Sequence, residues 1–112
     1  MDPAKRDAAH QAKASIGTDL AGSVADITIF SLPHDAAVAE VLSQLLPALP
    51  RGAVIIDTST LSPRAVRGFA EQAAKQGVFD LDAPVSGGPA GAAAGSMAMM
   101  VGGDAAGLER AT

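Results

Sequence analysis

Three short runs with apolar, β-branched centres constrain this chain most: Asp26-Ile-Thr-Ile-Phe-Ser31, Ala53-Val-Ile-Ile-Asp57 and Val78-Phe-Asp-Leu-Asp82. Their centres lie about 25 residues apart with helical patterns between them, the spacing of strand-helix units. Strands that are apolar throughout need cover on both faces, and this points to a parallel α/β sheet. Ser96-Met-Ala-Met-Met-Val101 is expected to be a fourth strand, with its methionines packed into the sheet.

The intervening segments carry helix signals. Residues Ala4 to Ala14 are polar and Ala-rich after Asp2-Pro3, which suits a surface helix, and Ile16-Gly17 is expected to end it. Thr18 or Asp19 is placed to cap a short helix through Val24. From His34 to Leu46, Ala37, Val38, Val41, Leu42, Leu45 and Leu46 recur at helical spacing until Pro47 and Pro50 forbid continuation. Ser62 can cap and Pro63 can open a helix to about Gln76, stopped by Gly77. Asp104 begins a last capped helix. No repeat, low-complexity tract or linker divides the 112 residues, which suffice for one modest core.

Composition removes several functions. A net charge of -4, with no basic cluster beyond Lys5-Arg6, lacks the footprint of a nucleic-acid binder. Without cysteine there is no thiolate metal site, and His10 and His34 are too few and too far apart for a zinc set. No apolar run approaches the roughly 20 residues of a membrane helix, and Met1-Asp2-Pro3 lacks a signal-peptide layout. A protein of the cytoplasm, with no membrane or nucleic-acid partner and no metal, is the expectation.

Ligands of parallel sheets collect beyond the carboxyl ends of the strands. Here those ends carry Ser31-Leu-Pro33, Asp57-Thr-Ser-Thr60 and Ala83-Pro-Val-Ser-Gly-Gly88, three polar turns expected to face one crevice. In the last, Ser86 can donate one hydrogen bond while the side-chain-free Gly87 and Gly88 let a small anion approach the backbone amides. Asp57 and Asp82 are expected to bond neighbouring turn amides rather than to act as a catalytic pair. His34 is expected to begin its helix without an acid/base role.

With these turns in order, the chain resembles the nicotinamide-binding domain of the β-hydroxyacid dehydrogenases, which include 3-hydroxyisobutyrate dehydrogenase and tartronate semialdehyde reductase and are related to 6-phosphogluconate dehydrogenase. The resemblance is carried by Ser31-Leu-Pro33, by Ile56-Asp-Thr-Ser-Thr-Leu-Ser-Pro63, and by Asp82-Ala-Pro-Val-Ser-Gly-Gly88 followed by Gly91, Gly95 and Met100-Val-Gly-Gly103. It covers nearly the whole chain, with Met1 to Gly17 matching only loosely. It implies a partial Rossmann-like, doubly wound and mostly parallel sheet lacking its first βαβ segment, and NAD or NADP as cofactor. Leu32, Pro33 and Thr60 would meet the nicotinamide half of the cofactor. Ser86, Gly87 and Gly88 would hold the carboxylate and hydroxyl of a small 3-hydroxy acid. Ala37 offers nothing for the side-chain contact that some family members make four residues after the proline.

The family's G-x-G-x-x-G turn has no counterpart here, and its catalytic lysine lies on a helix beyond Thr112, so no catalytic residue is assigned. The family's helical domain for substrate closure and dimerisation is also missing. A piece truncated at both ends and inactive alone is therefore expected. Two other readings stay open. One is a free-standing module for small carboxylates or part of a nucleotide; the other is a structural fragment that associates with itself through the raw sheet edge.

Overall fold

The computed structural model describes residues 3–13 and 25–112. Helix α1 (Pro3–Gln11) buries none of its residues, as its polar sequence anticipates. The expected stop at Ile16-Gly17 and the short helix through Val24 lie outside the described residues. There follow β1 (Ile27–Phe30), α2 (Asp35–Leu45) with a 3-10 turn at Leu46–Ala48, β2 (Val54–Asp57), α3 (Pro63–Ala74) and β3 (Phe79–Asp82). The C-terminal part holds β4 (Val85–Ser86), α4 (Gly88–Ala94), β5 (Ala98–Met99) and α5 (Ala105–Ala111).

β1, β2 and β3 form one parallel sheet in chain order, with Ile27 beside Val54 and Val54 beside Phe79. Crossovers that step the same way across a parallel sheet put their helices on the same side. Accordingly Phe30, Ala53, Ile55 and Val78 pack with Val38, Leu42 and Leu45 of α2 and Ala73 of α3. The helix signals read from the sequence operate here. Ser62 accepts from the Ala65 amide at 3.2 Å, Pro63 opens α3, and Asp104 accepts from the Ala106 amide at 2.8 Å to start α5. His34 is itself a cap: its Nδ1 accepts from the Ala37 amide at 3.1 Å.

The opposite face is covered unevenly. α5 lies against β2 and β3, and Val54 and Leu81 are buried there. On β1 the same face leaves Ile27 42% and Ile29 65% exposed, contrary to the expectation of cover on both sides. β1 also has only one neighbour among the described strands.

The fourth strand needs correction. Residues 96–101 do not join the parallel sheet; only Ala98–Met99 pair, antiparallel to β4, while Gly102 bridges Asp82. Gly87 and Gly88, at φ 120 and 59, turn the chain into α4, and Gly95, at φ 70, turns it back. A segment returned in this way meets β4 head to tail. Met99 and Met100 are therefore exposed rather than packed in the sheet, and Met97 is half-buried.

Candidate functional site

The carboxyl ends of the three parallel strands lie side by side, and hydrogen bonds join the turns that leave them. Thr58 donates to the Phe30 carbonyl twice, from its amide at 2.8 Å and from Oγ1 at 2.6 Å. The buried Ser59 hydroxyl accepts from the Leu32 amide at 2.8 Å. Ala83 donates to the Asp57 carbonyl at 2.8 Å. The turns after β1, β2 and β3 are thus fastened in one row. Asp35 ties the helix starts behind them, accepting from the Ser62 amide at 3.2 Å and from its hydroxyl at 2.9 Å.

Pro33, Thr60, Ser86, Gly87 and Gly88 are exposed along this row, and Leu32 is half-buried. Ser86 ends β4 opposite Ala98, so its position is fixed by a short ladder rather than by a free loop. Beside the first turn a groove of about 390 Å3 follows the open side of β1, lined by Thr28, Ile29, Phe30, Ser31, Leu32, Val41 and Leu45. Its size is that of a small-molecule site. Ser86, Gly87 and Gly88, the residues expected to hold the substrate, do not line it.

Behind the turns lies a group of carboxylates that sequence reasoning left unassembled. Asp57 Oδ1 accepts from the Ser59 amide at 3.0 Å, the turn-amide bond expected of it. Asp82 instead engages Gly102 through its backbone. Asp80, overlooked in the sequence, shares a small cavity with both. Burial first, then the charges of Asp57 and Asp82, push its carboxyl up to about 7. Asp82 is raised as well, by burial and then by Asp57. The available signal was the period of two along a strand, which sets Asp80 and Asp82 on one side. Among the described residues no group of three His, Cys, Asp or Glu side chains is placed to hold a metal ion, and no helix is long and apolar enough to cross a membrane.

This chain is similar to known proteins in sequence and in fold. An NAD-dependent L-serine dehydrogenase of Pseudomonas aeruginosa is 42% identical over 90 residues, which are 78% of this chain and 30% of that protein. The solved structure of a Mycobacterium tuberculosis 3-hydroxyisobutyrate dehydrogenase with L-serine superposes with a TM-score of 0.87 at 38% identity, covering 98% of this chain and 39% of that one. Psf3 in complex with NADP+ and 2-OPP gives a TM-score of 0.85 at 29% identity, covering 96% and 40%. The chain spans well under half the length of these relatives. Over its whole length, residues 1–112, it matches the NAD binding domain of 6-phosphogluconate dehydrogenase, and it belongs to that family.

Proposed function

We propose that this chain is the nicotinamide-side part of an NAD(P)-dependent 3-hydroxyacid dehydrogenase, or of a reductase running the reverse reaction. The observation that carries this is the row of three fastened turns, with five of the six assigned residues exposed along it and Leu32 half-buried. Leu32 and Pro33 border the nicotinamide, and Thr60 offers a hydroxyl to its ribose. A bound nicotinamide supplies the hydride donor or acceptor. Ser86 donates a hydrogen bond to one oxygen of a small 3-hydroxy acid, and the amides beside it, unshielded by side chains, face another. Holding the substrate in one orientation is the chain's own contribution to rate.

The turns carry no lysine, and none of their residues is assigned the proton exchanged with the substrate hydroxyl. Alone, the polypeptide binds and does not turn over. Calorimetry with NAD, NADP and small 3-hydroxy acids tests the binding, and Ser86→Ala is expected to weaken the acid at least tenfold. Unchanged acid binding in that variant would remove the substrate assignment. Turnover by the purified chain would refute the inactivity. The bare side of β1, with Ile27 and Ile29 exposed, favours a second reading in which copies of the chain pair along this edge.

A further inference from the structure

β3 sets Asp80 and Asp82 on the side of the sheet that α3 covers, and the parallel register places Asp57 beside Asp82. With Leu61, Val66 and Phe69 the three carboxylates line a half-open cavity of about 10 Å3, room for one water. Asp57 is 2% exposed; Oδ1 is engaged by the Ser59 amide, and Oδ2 is buried with no donor. A buried carboxylate oxygen left unpaired is costly, so a donor is called for at this point.

The groups facing Asp80 cannot relieve it. From β2 comes Asp57, from β3 Asp82, from α3 Glu71, and from the segment before α5 Asp104. No described Lys, Arg or His lines either cavity that Asp80 shares. Carboxylates crowded without a cation keep a proton among them, as like charges in one site cannot all ionise together.

We propose that Asp80 is the proton-bearing member of this cluster, that it reaches Asp57 Oδ2 through one water in the cavity, and that the contact positions the Thr58–Thr60 turn and, through Ser59, the Leu32 amide. Asp80 is thus a positioning residue. The elevation of its carboxyl to about 7, led by burial, agrees with this. Folded Asp80 holds a proton that the unfolded chain, at its ordinary 3.8, has released. The folding constant therefore falls by up to about tenfold per pH unit between those two values and levels off above the higher one. The functional reading above enters only in calling Leu32 a cofactor-side residue; the proton and the turn do not depend on it.

The experiment is a carboxyl-carbon and amide NMR titration of the whole chain, with pH-dependent unfolding of wild type and Asp80→Asn. Asp80 is expected to titrate near 7, with the Ser59 and Leu32 amides shifting at the same midpoint and the shift lost in Asp80→Asn. That variant should come close to wild type near pH 4 and exceed its folding constant by on the order of a thousandfold above pH 7. An Asp80 midpoint below 5, or amides that ignore it, overturns the proposal. Should Asp80→Asn fail to fold, the wild-type titration decides alone. Failure of the chain to bind NAD or NADP, with Asp80 still titrating near 7 and the amides following, counts against the functional reading and for this one.

Discussion

Ser59 shows how much of this site depends on residues no ligand touches. It is 4% exposed, and its hydroxyl is the acceptor for the Leu32 amide, the link between the first two turns. Ser59→Ala removes that acceptor while leaving the Asp57 bond to the residue 59 amide intact. The expected loss is about 1 kcal/mol in denaturant unfolding. Hydrogen exchange localises it: the Leu32 amide should exchange faster in the variant, while amides within β2 change little. Uniform acceleration across the sheet would mean that Ser59 supports the core rather than the turn. The exposed residues of the row were legible because each lies in a turn with a recognisable side chain or glycine pattern. Ser59 is legible only as part of its turn and Asp80 not at all, because their importance comes from the neighbouring strand, and only the parallel register brings Asp57, Asp80 and Asp82 together.

At the scale of elements, two helical glycines make opposite demands. Gly68, in the middle of α3, has open space where a Cβ would lie. Gly68→Ala should stabilise by about 0.5–1 kcal/mol, because alanine restricts the unfolded chain and favours helix. Gly107, in α5, would place a Cβ 2.8 Å from Phe79 Cβ and 2.9 Å from Cγ. The same substitution there must push α5 off β3, and the overpacking outweighs the propensity gain, for a net loss of about 1–3 kcal/mol. Thermal unfolding of the two variants, with Tm moving in opposite directions, checks the packing of α5. The contrast also explains what the sequence conceals about elements. β1, β2, β3, α2 and α3 carry strong periodicity and caps, and each was readable to within a few residues at either end. α4, Gly88–Ala94, is not announced by periodicity, because Ala and Gly give no apolar stripe. Its signals were positional: Pro89 in the first turn and Gly95 in the left-handed conformation at the end. Once α4 is overlooked, residues 96–101 look like another strand of the sheet, although the chain has by then reversed.

For the whole molecule, the open side of β1 sets the expected behaviour in solution. Among the described residues this strand has a neighbour along one edge only, and the face away from α2 and α3 carries Ile29, 65% exposed, two residues from Ile27, 42% exposed. No proline or charged residue interrupts Ile27–Phe30, so the usual safeguards of an edge strand are missing within it. A second copy of the chain presents the same edge, and pairing would cover both at once. Sedimentation velocity at micromolar and higher concentrations should show reversible association. Ile29→Lys should weaken it at least tenfold, since pairing would then bury a charge or hold two of them close. Ile29 is not in the described core, so the variant should lose less than about 1 kcal/mol of monomer stability. A clean monomer at every concentration would show that the exposed edge does not drive self-association. Association unaffected by Ile29→Lys would place the contact elsewhere, with the exposed Met99, Met100 and Val101 the next surface to alter. Hydrogen exchange separates the two outcomes: Asp26 and Phe30 accept bonds from β2, so the open edge presents the Ile27 and Ile29 amides, which pairing at β1 protects and contact at the methionines does not.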